Sequence, residues 1–120
     1  MRKILLALYI LILLTSISIA CEKTTGSDIT AVPNKFDGKE VCVESLVSNL
    51  KFKISKKGNP YTTFWVSDEK GQSLTVFSFG TLPIKEGDKV KVTGKYEVEK
   101  RVGRYTFYNE ISASSVEKLQ

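Results

Sequence analysis

The chain has 120 residues, of which 42% are hydrophobic and 26% are charged, proportions typical of a globular domain rather than a disordered chain. It contains no histidine, which removes the commonest general base and the commonest metal ligand. The net charge of +5 becomes +3 without Arg2 and Lys3, a mild basic bias that lacks the dense positive field of a dedicated duplex-binding protein.

The first twenty residues have the layout of a secretory signal. Arg2 and Lys3 precede an apolar run over 4–14, and the small residue Ala20 precedes Cys21. We predict a signal peptide over 1–20. The alternatives are cleavage without lipid attachment and an uncleaved anchor over 4–20, which is at the short limit for crossing a bilayer. All three place the following domain outside the cytoplasm.

The segment that ends at Cys21 resembles bacterial lipoprotein signals, in which a small residue precedes a cysteine that receives lipid. Ala20 and Cys21 carry the resemblance, while Ser18 stands where leucine is usual. The resemblance implies lipid, such as palmitate, on Cys21 and an exported, membrane-anchored protein of the bacterial cell envelope or periplasm. If Cys21 carries lipid, Cys42, the other of the two cysteines, has no disulfide partner within the chain.

Residues 21–36 are predicted to form a flexible, lipid-anchored tether. The stretch is mostly polar and includes Gly26 and Pro33, a composition that disfavours a packed core. A single domain is predicted to follow over 37–120, because about a hundred residues can bury one modest core.

From residue 38 onward, apolar residues alternate with polar ones, as in half-buried strands. The alternating sets are Val41, Val43 and Val47; Phe64 and Val66; Leu74 and Val76; Val90 and Val92; and Tyr105, Phe107 and Ile111. Turn-forming residues separate these sets near 56–60, 68–71, 80–87 and 101–103. The pattern predicts an all-β domain of five strands, with no long helix after Cys21.

The second and third strands are predicted to form a tight hairpin. Phe64 and Val66 face inward together with Val76 and Leu74 if opposed residue numbers sum to 140. This register leaves a three-residue loop over 69–71, with Gly71 at the left-handed position that such loops favour. The apolar pattern and the turn chemistry therefore indicate the same register.

Four stretches carry a family resemblance: 41–47 (VCVESLV), 61–68 (YTTFWVSD) with the following Gly71, 74–77 (LTVF) and 86–96 (EGDKVKVTGKY). Together they resemble the OB-fold of the anticodon-binding and single-strand-binding type, over 38–119. The resemblance implies a five-stranded OB-fold-like Greek-key barrel. Ser45 stands where glycine is common, and 80–87 is too short for the helix that often caps the barrel, which favours an open or differently capped end.

The same register predicts which side chains of the central hairpin point outward. The opposed outward pairs are Tyr61 with Phe79, Thr63 with Phe77, and Trp65 with Thr75. The OB-fold resemblance implies that this face carries ligand. The predicted nucleic-acid-binding residues are Tyr61, Trp65, Phe77, Phe79, Lys53, Lys56, Lys57 and Lys91. In the alternative interpretation, other segments or a partner cover the rings, and the lysines only solvate the sheet.

Two functions remain open. The first is non-enzymatic binding of single-stranded nucleic acid, in which bases stack on the rings and lysines contact phosphates. The second is a protein-interaction or structural role in the envelope, with an envelope protein as partner of the same face. We expect no enzymatic activity, metal or cofactor, because the sequence contains no catalytic constellation, metal-ligand spacing or phosphate-binding glycine motif. Cys42 is expected to be a small residue under a loop.

Overall fold

A computed structural model of the chain describes residues 23–67 and 73–119. The predicted signal peptide over 1–20 and the lipid-attachment residue Cys21 lie outside the described residues. The elements in chain order are α1 (Gly26–Ala31), α2 (Pro33–Phe36), β1 (Glu40–Ile54), β2 (Pro60–Ser67), β3 (Ser73–Phe79), β4 (Lys89–Val102) and β5 (Tyr105–Lys118). The predicted all-β class and its five strands are confirmed.

The five strands close into a barrel in the order β1-β2-β3-β5-β4. Neighbouring strands are antiparallel except β3 and β5, which are parallel. Strand β1 closes the barrel, because it pairs with β4 over 40–46 and with β2 from Val47 onward. Ser45 lies at this change of partner, where its hydroxyl accepts from the Ser67 N–H at 3.1 Å and donates to the Ser67 carbonyl at 2.7 Å.

The central hairpin has the register that the sequence predicts. Tyr61 pairs with Phe79, Phe64 with Val76, and Ser67 with Ser73. Phe64 and Val76 are fully buried, so the inward assignment is confirmed. The predicted loop over 69–71 lies outside the described residues.

Every strand contributes side chains to one hydrophobic core. Two larger residues, Phe64 on β2 and Tyr96 on β4, are fully buried in the barrel. Around them pack Val41, Val43, Val47, Val66, Leu74, Val76, Ile84, Val90, Val92 and Ile111. The β-branched residues dominate because they suit the pleated inner surface of a small barrel.

The segment before β1 also contributes to the core. Thr25 caps α1: its hydroxyl accepts from the Asp28 N–H at 3.0 Å, and the Asp28 carboxylate accepts from the Thr25 N–H at 3.3 Å. The capped helix places Ile29, which is fully buried, in the core, and Phe36 at the end of α2 packs against the same cluster.

This packing differs from the predicted flexible tether over 21–36. From Lys23 onward the structure has a short parallel bridge to Cys42 and two helices whose side chains reach the barrel. The physical reason is that Ile29 and Phe36 are apolar and pack against the barrel core, to which residues 80–87, without a helix, supply one buried side chain, Ile84. The N-terminal segment adds Ile29 to that core, so the folded unit begins before residue 37.

Candidate functional site

Three aromatic rings form a cluster on the outer side of the central hairpin. The ring centroids of Tyr61 and Phe77 are 5.3 Å apart, with an interplanar angle of 32°. Phe79 meets Phe77 edge to face, with the centroids 5.0 Å apart. Phe79 is 79% exposed, while Tyr61 and Phe77 are half-buried by each other and their neighbours. The structure therefore brings three of the predicted residues together with exposed ring surface.

Trp65 extends this surface along the hairpin. It pairs with Thr75 and is 45% exposed, one cross-strand row away from Phe77. Such diagonal neighbours lie about 7–8 Å apart, so a bound chain could contact both rings. We call Tyr61, Trp65, Phe77 and Phe79 the aromatic face.

A bulge in β1 places lysines beside the aromatic face. The register of β1 against β2 shifts between Ser48 and Lys51. As a result, Val47 is buried but Lys51 and Lys53 are exposed, although all three are odd-numbered. Lys53 then lies opposite Tyr61 in the ladder. A regular strand would have turned both lysines toward the barrel interior.

The bulge is held by a side chain from the loop between β3 and β4. The two carboxylate oxygens of Glu86 accept hydrogen bonds from the N–H groups of Asn49 and Leu50, each at 3.0 Å. Asn49 has a φ of 50°, a left-handed conformation that asparagine tolerates better than most residues. The sequence predicts only a turn around Glu86 and does not indicate this role.

The other predicted lysines lie at two separate places. Lys56 and Lys57 occupy the turn at the end of the β1–β2 hairpin, next to the Ser55 and Asn59 backbone pair. Lys91 lies on β4, which pairs with β1 and β5 rather than with β2 or β3. The structure thus does not bring Lys91 to the aromatic face.

The strand pairing also places Lys91 between two glutamates. Its cross-strand partners are Glu44 on β1 and Glu117 on β5. Opposite charges at directly opposed positions stabilise a sheet. For Lys91, this placement favours the alternative interpretation, in which the lysine only solvates the sheet.

An ion pair that the sequence pattern does not indicate borders Phe77. The Lys100 ammonium lies 3.1 Å from the Glu110 carboxylate and 3.1 Å from the Ser112 hydroxyl. It also lies 5.2 Å from the centre of the Phe77 ring, within the range of a cation–π interaction. The Glu110 side chain is 6% exposed, so a buried negative charge lies beside the aromatic face.

The backbone of β5 has an irregular conformation next to Glu110. Asn109 has a φ of 50°, and its side-chain oxygen accepts a hydrogen bond from the buried Tyr96 hydroxyl at 2.5 Å. Lys100 pairs with Phe107 in the ladder, yet its ammonium reaches Ser112 on the other side of Asn109. The sequence feature that could have indicated this irregular backbone is Asn109 itself, because asparagine is enriched at positive φ.

Burial raises the pKa of Tyr96 above its usual value of 10.0, and the negative charge of Asp37 adds to the effect. Asp37 is fixed nearby because its carboxylate accepts a hydrogen bond from the Val98 N–H at 2.9 Å. The phenol is therefore neutral at physiological pH and donates a hydrogen bond to the side-chain oxygen of Asn109.

Cys42 lies under the N-terminal segment, as expected for a small residue beneath a loop. Its side chain is 1% exposed, its carbonyl accepts from the Thr24 N–H at 2.7 Å, and its sulfur lies 3.4 Å from the Thr93 hydroxyl.

Within 23–67 and 73–119, no group of three or more cysteine, aspartate and glutamate side chains could hold a metal ion. In the same ranges, no helix has the length and apolar character needed to cross a membrane.

Neither protein-family models nor curated protein sequences give a match to this chain. The fold and the site define a small all-β barrel with an exposed aromatic face.

Proposed function

We propose that this protein is a non-enzymatic binding module of the cell envelope whose aromatic face binds single-stranded nucleic acid. The observation that carries the proposal is the cluster of Tyr61, Phe77 and Phe79 on the outer side of the central hairpin, with Phe79 largely exposed. Bases stack on exposed rings with about 1–3 kcal/mol each, and every base offers a ring face.

The charges around the rings support the same ligand. Lys51 and Lys53 project beside Thr63 and Tyr61, and Lys56 and Lys57 extend the positive charge to the end of the hairpin. Lysines beside stacked bases contact the phosphates and release counterions on binding. Because the β2–β3 face of OB-folds binds oligonucleotides, the resemblance in the sequence favours the same surface.

The test is a titration with fluorescently labelled single-stranded oligonucleotides, followed by anisotropy and by the emission of Trp65, the single tryptophan. We expect binding that weakens steeply with salt. Replacing Tyr61 or Phe79 by alanine should lower the affinity about tenfold, as expected for loss of one stacked base. Tyr105→Ala, an exposed aromatic on the β4–β5 hairpin, serves as the matched control. No binding at low salt would overturn the proposal.

We further propose that the barrel is exported and anchored by lipid on Cys21. Metabolic labelling with palmitate should mark the wild-type protein, and Cys21→Ser should abolish the label. The Cys21 sulfur can form a thioether bond to lipid or a disulfide, but not both. The intact mass of the protein, measured with and without reductant, distinguishes the two and provides an independent check. An unlipidated Cys21 paired in a disulfide would contradict the anchor.

A second candidate is interaction with an envelope protein. Exposed apolar side chains on the β4–β5 hairpin favour it: Val102, Tyr105, Phe107 and Tyr108. Exposed aromatic residues in clusters are typical of protein interfaces. Photo-crosslinking from position 108 in cells should trap one partner, whereas crosslinking from the exposed Glu117 should not. Salt-dependent oligonucleotide binding without such a crosslink favours the first candidate.

A further inference from the structure

The tip of the β1–β2 hairpin, residues 51–60, exposes two large apolar side chains. Phe52 and Ile54 are 52% and 73% exposed. They follow each other at alternate positions and pair with Thr62 and Pro60, so they share one side of the hairpin. Tyr61 and Lys53 lie on the opposite side. The aromatic face therefore does not use Phe52 or Ile54.

The hairpin tip is also strongly positive. It carries Lys51, Lys53, Lys56 and Lys57, and no acidic residue occurs between Glu44 and Asp68. Exposed apolar side chains among several lysines suit an anionic lipid surface: the apolar groups enter the interface and the ammonium groups stay at the level of the headgroups.

We propose that this hairpin tip contacts an anionic lipid bilayer, with Phe52 and Ile54 in the interfacial layer. The charge distribution selects this hairpin over the β4–β5 hairpin. The latter also exposes aromatic residues, but its Lys100 is paired with Glu110 and its Arg101 lies only 3.6 Å from Glu99. An aliphatic side chain such as Ile54 also has no ring on which a base could stack, which favours lipid over nucleic acid. The inference does not depend on the proposed function.

The experiment uses the full-length chain with one tryptophan moved to the tip. A Trp65→Phe, Phe52→Trp variant is mixed with vesicles that contain brominated acyl chains, which quench tryptophan on contact. The vesicles are phosphatidylcholine alone or phosphatidylcholine with phosphatidylglycerol. We expect quenching in the anionic vesicles and little in the neutral ones. Replacing Lys56 and Lys57 by glutamine should remove about half or more of it, since each lysine near an anionic surface contributes about fivefold to binding.

The matched control is Trp65→Phe, Tyr105→Trp, which places the reporter on the other exposed hairpin. Comparable quenching at position 105, or equal quenching in neutral vesicles, would indicate general adsorption and overturn the proposal. So would a tryptophan at position 52 that responds to an oligonucleotide but not to lipid. An Ile54→Ser substitution should weaken the lipid signal while leaving oligonucleotide affinity within about twofold, because it lies away from the stacking surface. The two readouts therefore distinguish failure of the lipid contact from failure of the proposed nucleic-acid binding.

Discussion

The carboxylate of Glu86 accepts a hydrogen bond from the backbone N–H of Asn49 at 3.0 Å. Its other oxygen accepts from Leu50 at the same distance. Both N–H groups lie where β1 loses register with β2, so the ladder does not satisfy them there. A loop side chain thus stabilises the bulge that turns Lys51 and Lys53 toward the aromatic face.

Replacing Glu86 by alanine should destabilise the barrel by about 1 kcal/mol, because two backbone N–H groups lose a charged acceptor at an exposed site. Oligonucleotide affinity should fall with it, since Lys51 and Lys53 lose their fixed position. Urea unfolding and anisotropy titrations measure the two effects. Glu117→Ala, an exposed carboxylate on β5, is the control for loss of one negative charge. Equal behaviour of the two variants would refute a role for Glu86 in the bulge.

The central hairpin could be predicted from the sequence because its information is local. Alternation of Phe64, Val66, Leu74 and Val76 fixes which side is inward, and the observed register agrees throughout β2 and β3. The outward position of the four rings follows from that register alone. The local sequence pattern is sufficient to predict the register of two strands that are adjacent in the chain and joined by a short connection.

The remaining parts of the site depend on contacts that are distant in sequence. Glu86 meets Asn49 across 37 residues, and nothing near either residue indicates the other. Lys100 reaches Glu110 although its partner in the ladder is Phe107, a contact that alternation cannot show. The polar composition before β1 predicts a tether, because a single fully buried residue, Ile29, produces little periodic pattern in the sequence.

Strands β4 and β5 approach each other closely at Gly94. A Cβ added there would overlap the carbonyl oxygen of Ser112 and lie 2.7 Å from the Cα of Ala113. Both are backbone atoms that cannot move aside easily. We expect Gly94→Ala to destabilise the barrel by about 3 kcal/mol, measured by thermal or urea unfolding. The neighbouring Lys95→Ala, at an exposed position, should change stability by less than about 0.5 kcal/mol. A stable Gly94→Ala variant would show that β4 and β5 are farther apart.

Glu110 lowers the positive potential that a phosphate would meet at the aromatic face. Its carboxylate neutralises the Lys100 ammonium, which lies over Phe77. Glu110→Gln should therefore tighten oligonucleotide binding and steepen its dependence on log salt by about one unit. Glu117→Gln makes the same change in net charge on the strand face near Lys91 and should leave the slope unchanged. If both variants tighten binding equally, net charge rather than the local pair is responsible.

Tyr96 should make the barrel less stable at alkaline pH. Burial, with a contribution from Asp37, raises the pKa of its phenol above 10.0 in the folded protein, while the unfolded chain ionises at the ordinary value. The unfolded state thus releases its proton first as the pH rises, so the stability from Tyr96 is complete below pH 10.0 and is lost above it. Tyr96→Phe should cost about 1 kcal/mol near pH 8 through loss of the Asn109 hydrogen bond.

The same substitution should flatten the alkaline part of the profile, so the two stability curves converge as the pH rises. Urea unfolding at intervals from neutral to alkaline pH measures this convergence. Tyr105→Phe, at an exposed position of β5, controls for the loss of a tyrosine and should run parallel to the wild type. Parallel curves for Tyr96→Phe and the wild type would mean that the phenol of Tyr96 is solvated rather than enclosed between Asn109 and the core.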